Sequence, residues 1–332
     1  MDNTAFTPRI ATAGEALIDL IGRSDGLYEP CVGGSVFNLT RAMARQGIGT
    51  LYLNPLSADR FGRQLMQALV DDGVQLARPQ PVPQVSSLAV VGLNDTGQPD
   101  YAFYRQGVAD RAVSADELLQ SCDAAPTLEM VCSGCLALSP DDAAIYLPWL
   151  AACRDAGKVV VVDANLRPSV MNDLAAYRRH VLKALAMAHV IKASDEDLEH
   201  LGIAGASPLE QAKALLADTG ASLMALTLGA QGACLLSASG EVWHAGLSGP
   251  VEVVDTVGAG DCFLAGLLTA MLLEGRSVLD TLADQPARRM LAHALASATL
   301  CVMRRGCQPP TREEVMAHLQ VFPCRLRLEP GA

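Results

Sequence analysis

Val159-Val-Val-Val-Asp163, the amphipathic run from Asp173 to Ala188, and His189 to Ser194 read in order as a buried strand, a helix and a second strand. Four consecutive valines leave no polar face, so the first strand must be covered on both sides. A helix between two such strands returns the chain to pair in parallel. Ser222 to Leu228 gives another strand signal further on. Working outward, apolar runs of strand length alternate with amphipathic stretches almost throughout, which predicts an α/β fold with a mostly parallel central sheet and helices on both faces. The chain has 332 residues, half of them hydrophobic, enough to bury a core of that size. One segment departs from the pattern. Ser87 to Leu93 and Pro99 to Arg105 are β-rich runs around Asn94-Asp-Thr-Gly97, a composition that joins antiparallel strands. This hairpin forms either a small sheet beside the main one, with a strand near Ala11 to Leu20, or an edge of the main sheet. Pro79 to Pro83 is the hinge candidate, and no internal repeat, low-complexity tract or interdomain linker is present.

Composition limits the partners. A formal net charge of -11 repels nucleic acid and anionic lipid, so any phosphate the protein binds must meet a local positive spot. No nucleic-acid partner is expected. The N-terminus carries no basic segment followed by a long apolar run, and the most apolar stretch, Phe263 to Leu273, is too short to cross a bilayer. The expectation is a cytoplasmic protein without a membrane partner. The ten cysteines are then reduced thiols acting as small apolar residues. The one CxxC, Cys132-Ser-Gly-Cys135, lacks a second pair and a nearby His, and reads as core packing rather than a zinc or redox site.

Chemistry concentrates in Val254-Asp-Thr-Val-Gly-Ala-Gly-Asp261-Cys-Phe-Leu-Ala-Gly-Leu-Leu. Gly258, Ala259 and Gly260 allow close backbone approach, and their N–H groups at a helix start form an anion site suited to a phosphoryl group. Asp261 falls in the first turn of a helix apolar on nearly every side, so it points into a partly desolvated pocket. A carboxylate beside a phosphate cradle makes sense as the base that takes a proton from an attacking hydroxyl. The competing reading is that Asp255 and Asp261 only cap the helix.

This stretch resembles the C-terminal signature of the ribokinase-like (PfkB) sugar kinases, and the resemblance runs nearly end to end. Gly14-Glu-Ala-Leu-Ile-Asp19 resembles the family's first strand, whose Asp binds sugar hydroxyls, and Gly33-Gly34-Ser-Val-Phe-Asn38 its N-terminal signature, where two glycines turn against the sugar and the Asn contacts it. Phe103-Tyr104-Arg105 and Asp163-Ala-Asn165-Leu-Arg167-Pro168 resemble segments typical of fructokinases and ketodeoxygluconate kinases. Thr227-Leu-Gly229-Ala-Gln-Gly232 resembles the nucleotide loop, with Ser194 also on the nucleotide side. Alone, Asp19, Arg105 and Arg167 read equally as surface residues, Asn38 as a helix cap, and Gly229 and Gly232 as turn glycines. There are departures: Ser194-Asp195-Glu196-Asp197 stands where the family usually has Asn-x-x-Glu near magnesium, Ser57 replaces a glycine in Leu56-Ser57-Ala58-Asp59-Arg60-Phe61-Gly62, and Leu295 stands where relatives commonly have Asn.

The resemblance implies a three-layer α/β/α kinase domain over residues 1–332, with a small β-sheet lid from about 12–37 and 86–106. It also implies ATP, Mg2+ near Asp197, a K+ ion near Asp255 and Thr256 as in some relatives, a small sugar as acceptor, and a homodimer through the lid sheet. Fructose is the expected sugar, with ketodeoxygluconate or aminoimidazole riboside as alternatives. A sensing protein that lost catalysis would show a damaged Asp261 or cradle, and both are intact. A dinucleotide oxidoreductase would need Gly-x-Gly-x-x-Gly after the first strand, where this chain has Gly33-Gly34.

Overall fold

The computed structural model describes residues 7–23, 25–93, 99–246, 251–275 and 279–329. Its first half runs β1 (Ile10–Thr12), β2 (Leu17–Gly22), β3 (Tyr28–Gly33), α1 (Ser35–Arg45), β4 (Thr50–Tyr52), α2 (Arg60–Asp71), β5 (Gln75–Leu76), β6 (Ser87–Leu93), β7 (Pro99–Tyr104), α3 (Ala115–Asp123), β8 (Met130–Gly134) and α4 (Ala143–Asp155). The second half runs β9 (Val159–Asp163), α5 (Leu174–Leu185), β10 (Val190–Ser194), α6 (Asp195–Leu201), α7 (Pro208–Thr219), β11 (Leu223–Thr227), β12 (Ala233–Ser237), β13 (Val242–Gly246), α8 (Ala259–Glu274), α9 (Asp284–Val302), α10 (Arg312–Val321) and β14 (Arg325–Glu329).

Among the described residues, ten strands form one sheet in the order β14-β13-β12-β11-β10-β9-β8-β1-β4-β5. Pairing is parallel from β11 through β5, and antiparallel only from β11 to β14. The valines of β9 show why both faces are covered. Val160 and Val162 pack in a core cluster with α4, α5 and α7 side chains such as Trp149, Tyr177 and Leu215. Val159 and Val161 face a second cluster built on α1, α8 and α9. Period-two alternation therefore gives each helical layer its own apolar surface. Helix α8 is buried along nearly its whole length, packed between α1 and α9, which explains why it is apolar on every side.

The second sheet, β3-β2-β6-β7, is the small sheet expected from the hairpin. The hairpin's turn, Asn94 to Gly97, lies outside the described residues. The strand expected from Ala11 to Leu20 is two strands: the chain leaves the large sheet after Thr12 and enters the small one at Leu17. Pro79 to Pro83 does connect the two sheets. It is pinned rather than loose, because Val82 N–H donates to Leu56 O (2.9 Å) and Ala58 N–H donates to Val82 O (2.8 Å). The face of the small sheet carrying Ile18, Leu20, Val32 and Leu88 packs on a third cluster with Phe37, Leu65 and Leu69, and the opposite face turns toward a cleft. No described helix is long and apolar enough to cross a membrane.

Candidate active site

Helix α8 begins at Gly258, which sits at φ 77 as its N-cap and makes no side-chain cap bond; Ala259 N–H donates to Thr256 O (3.2 Å), so the amides of Gly260 and Asp261 are the ones a helix start leaves for a ligand. A Cβ at Gly258 would lie 2.3 Å from Cys307 Sγ, and one at Gly260 would lie 3.0 Å from Lys192 Nζ. Glycine is needed at 258 for both conformation and space. Two clefts meet at this point. The first, about 430 Å³, lies between α8 and the small sheet, and takes in Asp19, Gly34, Asn38, Asp255 and Thr256. The second, about 340 Å³, lies at the carboxyl ends of β10 and β11, the edge where open α/β sheets bind ligands, and includes Ser194, Asp197, Thr227, Gly229 and Gly232. Asn165, Arg167, Ala259 and Gly260 line both.

Asp261 stands at this seam, only 6% exposed. The Ser35 hydroxyl donates to its Oδ1 (2.7 Å) and Asn38 Nδ2 donates to its Oδ2 (2.9 Å). Asn165 Nδ2 donates to Ser35 Oγ (2.8 Å) and lies 3.5 Å from Asp261 Oδ1, at the long limit of a hydrogen bond. Burial raises the Asp261 carboxyl above its ordinary range, while these hydrogen bonds and the charges of Lys192 and Arg167 pull it back. Asp261 therefore does not serve merely as a helix cap, since both oxygens are spent on side chains from α1. The cations near this point are Arg167 and Lys192, the latter buried and already paired with Asp163 (3.0 Å) on the neighbouring strand.

The carboxyls of the first cleft are unusual. Asp19 is pushed up to about 6, chiefly by burial, with Arg167 acting in the opposite direction. Glu15 is pushed up to about 7 by burial, partly offset by the Arg105 charge. Its Oε1 accepts from Ser35 N–H (2.9 Å), and its buried Oε2 has no partner. The two glycines are explained by close approach: a Cβ at Gly33 would meet Asp19 Oδ2 at 2.1 Å, and one at Gly34, φ 107, would meet the Glu15 carbonyl at 2.7 Å. Asn165 holds a positive φ of 36, and its Oδ1 accepts from Arg167 Nη1 (2.7 Å), which orients both residues toward the seam.

Other expected residues stand differently. Arg105 lines neither cleft; its guanidinium faces Asp142 (3.2 Å) and Asp110 (3.5 Å), behind Glu15. Asp197 borders the second cleft, but its oxygens accept from Leu166 N–H (2.7 Å) and Ser194 N–H (2.8 Å), closing a capping box on α6 with Ser194. Asp195 and Glu196 face the same cleft and are the more open acids for a cation. Asp255 joins two loops, accepting from Val257 N–H (3.0 Å) and Gly306 N–H (2.8 Å). Leu295 borders the second cleft and gives it an apolar wall there, where the family resemblance led to the expectation of an amide. Ser57 is buried with its carbonyl against Gly62, where a Cβ would come within 2.0 Å. Of the CxxC pair, Cys132 lies in the core, as expected of packing residues, and Cys135 also reaches the first cleft.

Sequence reasoning missed Ser35, Glu15 and Lys192. A serine at a helix start reads as a routine polar residue, and a lysine inside the strand Val190–Ser194 was the one available signal that a buried charge needed a partner.

A glycine-rich helix start with a small cleft on one side and a second cleft at the sheet's carboxyl edge suits an enzyme that moves a phosphoryl group between two small molecules. Comparison with known proteins agrees: the chain belongs to the pfkB family of carbohydrate kinases, whose pattern it matches over residues 7–314. It is 33% identical over 269 residues to a fructokinase of Rhizobium leguminosarum bv. trifolii, covering 80% of each chain. It is 29% identical over 327 residues to a fructokinase of Escherichia coli, covering 98% of this chain and 99% of that one. Among solved structures, fructokinase with bound ATP from Xylella fastidiosa superposes with a TM-score of 0.83 at 23% identity, covering 95% of this chain and 98% of the other. The three-layer ribokinase-like architecture expected from the motifs is the one observed.

Proposed function

We propose that this kinase transfers the γ-phosphoryl group of ATP to D-fructose, giving fructose 6-phosphate and ADP in one in-line step with Asp261 as general base. The observation that supports it most is the position of Asp261: a buried carboxylate where the two clefts join, beside the open amides of α8. The fructokinases of similar sequence, at 33% and 29% identity, support fructose as the sugar.

In this reading the sugar lies in the first cleft, with Asp19, Asn38 and Arg167 at its hydroxyls, and Gly33 and Gly34 letting the backbone turn close to it. Arg105 acts from behind by holding the charge balance around Glu15. The nucleotide lies in the second cleft over Thr227, Gly229 and Gly232, with Ser194 at its edge. Its γ-phosphate reaches Gly258, Ala259 and Gly260. The attacking hydroxyl gives its proton to Asp261 as the oxygen–phosphorus bond forms, and the bond to the bridging oxygen breaks to release ADP. Lys192, behind Gly260, stabilises charge on the transferring group. A magnesium ion would be held by the acids at the second cleft, Asp195, Glu196 and Asp197, of which Asp197 is the least free because each of its oxygens already accepts a backbone N–H. Bound there, it would neutralise phosphate charge. A potassium ion would fit the oxygen-rich turn at Asp255 and Thr256. The small sheet is the lid, residues about 12–37 and 86–106 of a single domain, and it excludes water that would otherwise compete as acceptor. Its edge strands β3 and β7, with exposed Tyr28 and Tyr104, are the surface through which two chains would pair.

An ADP-release assay over fructose, ketodeoxygluconate and aminoimidazole riboside tests the assignment. The expected result is turnover with fructose. Turnover with ketodeoxygluconate and none with fructose would overturn it, and calorimetric binding of sugar and ATP without ADP release would mark a non-catalytic sensor.

A further inference from the structure

Three cysteines stand together beneath the phosphate cradle. Cys262 follows Asp261 in the first turn of α8, Cys301 lies at the end of α9, and Cys307 lies in the loop beyond. Their Sγ atoms all lie within 4.8 Å of one another, and all three residues are buried. Among the described residues this is the only such group of potential metal ligands. Packing alone does not require three thiols from three separate segments to converge on one point.

We propose that Cys262, Cys301 and Cys307 form a binding site for a soft, thiophilic metal cation held by three thiolates. Magnitudes favour it: three sulfurs about 2.3 Å from a central ion stand about 4.0 Å apart. The observed triangle of at most 4.8 Å needs only a small contraction to reach that geometry. The ligand set is all sulfur, which selects soft ions over magnesium or calcium. An entry path exists, because Cys307 borders the first cleft. On binding, three S–H bonds break, three protons pass to solvent and three metal–sulfur bonds form, with no change of oxidation state. Occupation also bears on the cradle, because Cys307 Sγ fills the space that a Cβ on Gly258 would need.

Cadmium(II) is a suitable probe. The reduced full-length protein, mixed with Cd(II) and separated from free ion by gel filtration, should retain about one ion per chain and develop the ultraviolet absorption of thiolate-to-metal charge transfer. Cys301→Ser and Cys307→Ser should each weaken retention by more than about tenfold, since losing even a supporting partner costs that much. Cys132→Ser, a buried thiol elsewhere in the core, should leave it unchanged. Peptide mapping after partial alkylation of the folded protein needs no variant, and should find these three thiols alkylated more slowly in loaded wild type than in the ion-free protein. Failure of wild type to retain the ion, equal retention in both serine variants, or protection mapped to other cysteines would overturn the proposal.

Discussion

At the scale of single residues, Asp261 is set by opposing influences of similar size. Burial favours its neutral form, and donors from Asn38 and Ser35 favour the carboxylate a base must be. Removing one donor should therefore show in a pH profile. Ser35→Ala deletes the 2.7 Å hydrogen bond to Oδ1, so the Asp261 pKa should rise and the acid limb of the kcat profile should move to higher pH; an unshifted limb would remove Ser35 from the base's environment. Glu15 gives a stability prediction. Its folded pKa of about 7 lies above the ordinary value of 4.5, so the folded state binds the proton more tightly than the unfolded one. Stability then falls as pH rises between those two values, by on the order of 3 kcal/mol for this group. Glu15→Gln keeps an acceptor for Ser35 N–H and cannot ionise, so urea unfolding at pH 8 should show it more stable than wild type, with the two converging near pH 4. These residues also mark the limit of reading the chain as text. Asp261 was legible because glycines and an acid precede an apolar helix. Ser35 was not, because its importance comes from α1 and α8 lying side by side, a contact between residues 226 positions apart.

Elements make the site by how they begin and end. The left-handed Gly258 aims the amides of α8 while Cys307 occupies the space where its Cβ would be. Gly258→Ala should cost about 1–3 kcal/mol through strain and the forced shift of Cys307, and should lower kcat by tilting the cradle. Thermal unfolding with steady-state kinetics checks both. Helix α2 opens similarly on Asp59, whose carboxylate accepts from Gly62 N–H (2.7 Å) and also from Ser86 N–H (2.8 Å), next to the start of β6. One residue thus caps a helix and anchors the start of the small sheet's β6, so Asp59→Ala should lose about 1–2 kcal/mol in urea unfolding. Element identity was readable wherever a period was unbroken: the expected strands at 159–163, 189–194 and 222–228 appear with ends shifted by a residue or less. The run from Ala11 to Leu20 misled because periodicity reports burial, not which sheet a strand joins, and residues 10–18 are buried without a break across the end of β1 and the start of β2.

Across the whole molecule, two sheets with separate hydrogen-bond networks share one cleft. The small sheet contributes Asp19, Ile21 and Phe103 to the cleft, while α8 contributes Ala259, Gly260 and Asp261, the proposed base. If the small sheet is a lid, amide hydrogen exchange in β2, β3 and β6 should slow when fructose and a non-hydrolysable ATP analogue bind together, and exchange in α10 and β14 should not change. The parallel centre was foreseeable from the alternation of strand and helix signals. The antiparallel extension through β14 was not, since Arg325–Glu329 carries alternating charge and is nearly as polar as a loop. The account as a whole depends on a single proton acceptor where the clefts join, and Asp261→Asn tests it most directly. It predicts fructose and ATP affinities close to wild type by calorimetry, with kcat reduced on the order of 10²–10⁴-fold. Near-normal turnover by that variant would contradict it.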